Sequence, residues 1–551
     1  MKKLSPLYFS LGLIMFATVT ARGQSFQVQC PTSTITHPVE ANNNSEPNYI
    51  GATSFTTGSD GYQVPGANVN GAIKCQQISG GDGFATMGDG TQTYLFAFGP
   101  LSGLKDIADG KPGTQLPNVF NTSELDMKPG DPAASAGVVA GTWSGFPIST
   151  PLGFFNGAVG LATDADAVAA GNCTGDCLDG HVDARQIMDV GVMNGNMPAP
   201  LMAIDEDDEF FLTLTNVGQI MRPDLFEQHT VHFHGYPNAS AFYDGVPDAS
   251  VAINIGGSFT YYYLAPDAGT YFWHCHITPP EHLQMGMVGQ IYVRPRQNRV
   301  TDNDPLYASL VAQQGDKRTK CDASDILCSN PVPPTDNGAI RLAAGTLCSG
   351  NSAPSNDFVP KYAYNDGDGT TCYDAEYPLQ IHGFDPNFHF VGMTFNPEGF
   401  TDMKDKYFLL NGRSYPDTVT PGPLATQTTD GTMHFSQPLP SIINIPKGGK
   451  ALLRIADLDV TEYQTLASLG IPMLVVGYNA KLLRDQSGNN LYYNTNSITL
   501  AGGESVDVIL DASDTTKYDT GQVYYLYTSN LDHLSNDAEN FGGLMTEVRI
   551  N

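Results

Sequence analysis

Residues 274–287 read HCHITPPEHLQMGM, and residues 229–235 read HTVHFHG. These two stretches hold thiol, imidazole and thioether side chains at spacings that suit soft or borderline metal ions. Side chains alternate along a strand, so His232 and His234 share a face, as do His274 and His276, while Cys275 points the other way. His229, Cys275 and His282, with Met287 as a long axial ligand, make up the donor set of a blue-copper electron-transfer site, and Met287 is preferred to Met285 for the axial place. On the opposite side of the same strand, His232, His234, His274 and His276 would form a second, all-imidazole centre.

The elements that must carry these residues read as strands. TYLFAFG, EFFLTLTN, SFTYYYL, QIYVRP, KALLRI, SVDVILD and VYYLYTS are rich in β-branched and aromatic residues and bounded by Gly, Pro, Asn and Asp. No long amphipathic helical pattern competes, so the fold class is all-β. A weak internal repeat sets GGSFTYYYLAPDAGTYFWHCH against GGESVDVILDASD and GQVYYLYTS, and MNGNMPAP against LNGRSYPDT. Two Greek-key β-sandwich domains of similar topology follow. The division expected is an export signal over 1–24, a loop-rich extension over 25–87 and a first domain over 88–296 with an insertion at about 128–185. A connector over 297–376 then leads to a second domain over 377–551.

The chain has 551 residues, and its 57 acidic against 27 basic side chains give a net charge of -30. That balance repels nucleic acid and anionic lipid. The start MKKLSPLYFSLGLIMFATVTARGQS has a basic tip, a short apolar run and a small-residue zone, the pattern of a secretory signal. A periplasmic or secreted protein without a membrane span in its mature form is expected. Eight of the nine cysteines fall into local pairs, Cys30 with Cys75, Cys173 with Cys177, Cys321 with Cys328 and Cys348 with Cys372. Sequence alone does not fix that connectivity, but the usage suits an oxidising compartment and leaves Cys275 as the odd thiol.

With HxxHxHG followed by HCH, His282 and Met287, and with the phrases YDGVP and GTYFWHCH between and around them, the chain resembles the multicopper oxidases, built on the cupredoxin sandwich. The resemblance is strong over about 186–296 and moderate over about 405–551. It implies a type 1 copper at His229, Cys275, His282 and Met287 that accepts electrons from a reductant. It also implies type 2 and type 3 copper at His232, His234, His274 and His276, where O2 is reduced. The seven-residue step from Cys275 to His282 departs from the family, being longer than in laccases and shorter than in copper nitrite reductases.

A trinuclear cluster in that family takes eight histidines, and the second domain supplies none at the matching places. Aligning Gly470 with Gly235 sets QTLASLG against HTVHFHG, and Tyr527 then stands where Cys275 would be. Two homo-oligomers would complete the centre. In one, first domains of two copies meet about a two-fold axis, four histidines from each. In the other, a copper nitrite reductase-like assembly places a mononuclear type 2 copper between first and second domains of neighbours, with His533 as a possible third ligand and nitrite as acceptor. His232 at that family's catalytic aspartate position, and HCH in place of its HCA-like phrase, favour oxygen. The non-enzymatic alternative is a type 1 electron carrier. The electron donor is a small molecule, a metal ion or a redox protein. His382 and His389 are expected to be structural, the run DEDDE at 205–209 a solvated turn, and Trp273 with Tyr261–Tyr263 packing residues.

Overall fold

The computed structural model describes residues 27–49, 51–67, 69–122, 156–161, 168–171, 184–235, 241–265, 267–314, 331–393, 399–427 and 433–551. The segment 1–24, most of the insertion at 128–185, and the pairs Cys173/Cys177 and Cys321/Cys328 lie outside them. No described helix is long and apolar enough to cross a membrane.

The first domain is a sandwich of two four-stranded sheets. Its strands are β1 (Ile73–Thr86), β2 (Gln92–Pro100), β3 (Met202–Asp205), β4 (Glu209–Gly218), β5 (His232–Phe233), β6 (Ser258–Leu264), β7 (Gly269–His274) and β8 (Val288–Arg294). One sheet runs β2-β1-β4-β6 and the other β3-β8-β7-β5. β6 alternates Tyr261 and Tyr263 inward with Tyr262 outward, as a strand packed on one face must. Trp273, Tyr261, Tyr263, Phe98 and Phe210 fill the space between the sheets, so the aromatic residues do serve packing.

The second domain repeats this plan. Its strands are β9 (Ala375–Phe384), β10 (Tyr407–Leu410), β11 (Ile443–Ile445), β12 (Lys450–Asp457), β13 (Gln464–Leu469), β14 (Met473–Tyr478), β15 (Ser497–Leu500), β16 (Ser505–Asp511), β17 (Val523–Tyr527) and β18 (Met545–Ile550). The run β10-β9-β12-β16 matches β2-β1-β4-β6, and β11-β18-β17-β13 matches β3-β8-β7-β5. Even the parallel pairs correspond: β1 with β4 and β9 with β12, then β3 with β8 and β11 with β18. The internal repeat is therefore a repeat of topology.

Three sequence expectations change. The extension assigned to 25–87 contains β1, a central strand of the first sandwich, hydrogen-bonded to β2 and β4. Its glycine run SGGDGFAT reads as loop, yet the glycines are there because neighbours come too close for side chains. A Cβ on Gly83 would lie 2.1 Å from the Gly195 carbonyl oxygen. The run DEDDE is buried, Asp207 paired with Arg296 and Arg299. Its charges need those partners because isolated ions are costly away from water. Third, the cross-strand register pairs His232 with His274 in the first domain and Ala467 with Tyr527 in the second. Tyr527 thus takes the place of His274, and Thr528 that of Cys275; a one-residue slip exchanges the faces of a strand. The backbone agrees, since Cys275 N–H donates to the Met287 carbonyl and Thr528 N–H to that of Leu544.

Two disulfides tie loops to this frame: Cys30–Cys75 fastens the N-terminal arm to β1, and Cys348–Cys372 staples the connector. The domains join through buried polar contacts. Glu376 on β9 accepts from Arg294 of β8 (2.8 Å) and Arg454 of β12 (2.7 Å), and Thr270 of β7 donates to Asp507 of β16 (2.5 Å). Burial raises the Glu376 carboxyl, but the two guanidinium groups outweigh it and hold the acid well below the ordinary carboxylate range. A folded-state pKa below the unfolded one contributes stability that is present above the unfolded value and lost as pH falls through the folded value. Glu376→Ala, which leaves the buried Arg454 and the partly exposed Arg294 short of a partner, is expected to cost about 3 kcal/mol in denaturant unfolding at neutral pH. The parent's advantage should persist on acidification past the ordinary carboxylate pKa, and an advantage that vanishes by pH 4.5 would contradict the pairing.

Candidate metal centres

β7 ends at His274, and the chain passes through Cys275 and His276 into a short helix, α1 (Pro279–Gln284), that carries His282 back toward the sandwich. His229 comes from the segment before β5, held by an isolated bridge to Ile253. The ligand atoms of His229, Cys275 and His282 all lie within 4.8 Å of one another, and all three residues are buried. His282 Nδ1 is 3.2 Å from Cys275 Sγ. A backbone N–H, that of Thr230, donates to the same sulfur at 3.4 Å.

The electrostatics of this pocket suit a cation. Burial pushes the Cys275 thiol up, but His282 and His229 outweigh it and hold the thiol well below its usual value. Burial works against the charge on His282 as well, yet the sulfur and Glu227 carry its imidazole up to about 9. His229, with burial as the first cause, is shifted down. The sulfur and the imidazole thus each favour the charged form of the other, and a metal ion bound between them would take the place of a shared proton.

Gly80 of β1 completes the pocket. A Cβ there would sit 2.7 Å from His229 Cδ2 and 3.3 Å from Met287 Cε, which places Met287 next to His229. Met285 points elsewhere: its sulfur is 3.5 Å from where a Cβ on Gly392 would be. Glu227 Oε2 lies 3.7 Å from His282 Nε2, at the outer edge of the pocket, beside Phe226, which is 83% exposed.

On the other side of the strand, His232, His234 and His274 bring one ring nitrogen each within 4.8 Å of the others. Their Nδ1 atoms are all tied to backbone carbonyls: His232 to Asp244 (2.7 Å), His274 to Cys275 (2.7 Å) and His234 to Gly503 (3.3 Å). A carbonyl only accepts, so each Nδ1 donates and each Nε2 is left with its lone pair. His234 Nε2 and His274 Nε2 approach to 2.9 Å, two lone pairs aimed at one space. Burial lowers both His234 and His274, the latter strongly, with neighbouring imidazoles adding to it. They are neutral at physiological pH, as metal ligands must be. His276 stands at the rim, its ring centroid 5.1 Å from that of His232.

His533 is not brought to this cluster in the chain. It stacks on Phe408, with Nδ1 on Gln464 Oε1 (3.0 Å) and Nε2 on Asn530 Nδ2 (2.8 Å). His382 and His389 are buried and reach the Leu283 and Gln284 carbonyls, both at 3.0 Å. They cap the C-terminal end of α1 and so hold His282 from the second domain.

Residues 179–298 match the multicopper oxidase family. The match is confined to this segment and covers well under half of the chain. A stretch of 109 residues is 34% identical to a laccase of Aspergillus fumigatus, covering 19% of this chain and 17% of the relative. A stretch of the same length is 35% identical to a copper-containing nitrite reductase of Rhizobium meliloti, covering 19% of this chain and 26% of the relative. The match thus spans between a sixth and about a quarter of the length of these relatives. Among solved structures, the blue copper oxidase from Nitrosomonas europaea aligns with a TM-score of 0.41 at 20% identity, over 65% of this chain and 78% of that one.

Members of this family bind copper, and the domain's residues fit it. Neither ring nitrogen of His229, fully buried, has a hydrogen-bond partner, an arrangement costly for a polar group unless a ligand satisfies it. Cys275 is the free thiol among the described cysteines. The motifs themselves could not reveal Gly80, Glu227, Asp244 and Gly503. Asp244 lies in the DGVP phrase and Glu227 two residues before His229, but Gly80 and Gly503 are recognisable only once distant strands are in place. Gly80→Ala is expected to displace His229 and so abolish or strongly shift the type 1 absorption, while far-ultraviolet circular dichroism and copper at the imidazole cluster stay unchanged. An unaltered visible spectrum would contradict the placement.

Proposed function

We propose that this chain is an exported copper oxidoreductase that takes single electrons from a reductant at the Cys275 centre and passes them to an acceptor at the histidine centre, with molecular oxygen as that acceptor. The observation that carries it is the joining of the two centres through one dipeptide. His274, the last residue of β7, leads directly into Cys275, and His274 Nδ1 donates to the Cys275 carbonyl at 2.7 Å. Copper at both sets of donors would supply the one-electron chemistry. The chain's own residues do the rest. Thr230 N–H and the buried aromatic shell keep the sulfur dry and fix its direction. At the outer edge, Glu227 faces His282 Nε2 across 3.7 Å, and that imidazole, the leading cause, keeps Glu227 below its usual range. It is ionised at neutral pH and can take the proton that an organic reductant gives up with its electron. The donor class is a small molecule, a metal ion or a redox protein.

The histidine centre, with four imidazoles in one chain, lacks the number a trinuclear cluster requires. Ala467, Leu469 and Tyr527 occupy the second domain's corresponding places, so the missing donors would come from another copy, through a two-fold pairing of first domains. A second reading is favoured by the convergence of three, rather than four, imidazoles. It is a mononuclear type 2 site of the nitrite reductase kind, completed by a neighbour in a trimer. For His533 to serve there, it would have to give up its bond to Gln464 or to Asn530. Export to the periplasm or beyond fits the two disulfides.

Cys275→Ser is expected to remove the blue absorption and all oxidation of reductant while the chain stays folded; retained blue colour would overturn the type 1 assignment. Steady oxygen uptake through many turnovers with a one-electron donor is expected of the parent. Bleaching without uptake would reduce it to an electron carrier, and turnover with nitrite alone would select the second reading.

A further inference from the structure

The second domain keeps the sandwich and has none of the ligands at the positions its own repeat defines. One of its loops nevertheless reaches the histidine centre. Gly503 lies in the turn before β16 and is the counterpart of Gly256 before β6, since Ser505 and Ser258 open the two strands in the same register. In the first domain that turn supports the sheet, its Gly256 N–H donating to Asn216 of β4. In the second domain the Gly503 N–H likewise donates to Asp457 of β12 (2.8 Å), but the Gly503 carbonyl faces across the domain boundary and accepts from His234 Nδ1 at 3.3 Å.

Two independent features make this position specific. Gly503 has φ of +90°, where an L side chain is strained. A Cβ there would also lie 2.7 Å from His234 Nδ1 and 2.8 Å from His234 Cε1. His234 and Gly503 also line one wall of a cavity of about 430 Å³, together with Phe272, Asp459, Thr461 and Glu462.

We propose that Gly503 is a positioning residue of the histidine centre: its carbonyl fixes the Nδ1-protonated tautomer of His234, and its missing side chain leaves room for the ring, so that Nε2 is presented beside that of His274. The second domain then contributes to metal binding without holding a ligand. Such outer partners set ligand tautomer and direction, and their loss costs about 10–100-fold in metal affinity. The proposal rests on the reading of His232, His234 and His274 as a copper centre.

The test uses the full chain with Gly503→Ala, and with Gly503→Asn, whose side chain tolerates positive φ better, should the alanine variant fail to fold. Gly521→Ala is the control, since Gly521 has φ of +86° and open space around its Cβ position. With histidine-selective ¹⁵N labelling of the copper-free protein, the parent is expected to hold His234 in the Nδ1–H form and the Gly503 variants to lose that preference. Chelator competition should show affinity for copper beyond the type 1 ion falling about 10–100-fold, with the type 1 absorption per chain unchanged and Gly521→Ala like the parent. An unchanged His234 tautomer and unchanged copper affinity in the Gly503 variants would overturn the proposal, as would an equal loss in Gly521→Ala. A parent that binds copper at Cys275 alone would overturn instead the copper-centre reading beneath it, which separates the two failures.

Discussion

The alternation of side chains at the end of one strand governs the arrangement. Because His274 and Cys275 are neighbours, a strand sends them to opposite sides, one into the imidazole cluster and one into the thiolate pocket. What surrounds the dipeptide serves to hold it. The residue just before β8 fixes it through the Met287 carbonyl, Thr230 N–H donates to the sulfur, and the Thr230 hydroxyl accepts from the His276 N–H.

The second domain is the other half of this support. It reaches α1 through His382 and His389, and Gln284 of α1 donates to Asp405 at 3.0 Å while accepting from the Asp385 N–H. It reaches β8 and β7 through Glu376 and Asp507. Apart from the partly exposed Arg294–Glu376 pair, these polar contacts are buried, where an unmatched group costs more than a matched one returns, so the relative placement of the domains is tightly specified. Loss of the ligand positions in the second domain is then compatible with retention of its fold, since its present contacts act on the first domain's ligand-bearing elements.

Much of this was legible in the sequence because it is local. The HCH and HTVHFHG motifs, the strand runs and the repeat needed only spacing and alternation, and the fold brings His229, Cys275 and His282 together, and three of the four expected imidazoles, His232, His234 and His274. The parts that were not legible depend on distant neighbours. The glycines of β1 look like loop residues until His229 and Gly195 are brought against them. DEDDE looks solvated until Arg296 and Arg299 arrive from ninety residues away. The alignment of Tyr527 with Cys275 failed by one residue because QTLASLG and YLYTS contain no ligand to anchor the register, and only the hydrogen-bond ladder supplies it. His533 lies in a plausible stretch, but Gln464, Asn530 and Phe408 already occupy its ring.

The central claim is that one strand end serves two copper centres, and the most direct measurement is copper content per chain of the fully loaded protein, together with electron paramagnetic resonance to separate the ions. The expected result is more than one copper per chain, a single type 1 ion accompanied by copper that is either of type 2 character or spin-silent. One copper per chain, all of it type 1, would contradict the claim and leave the imidazole cluster without a metal.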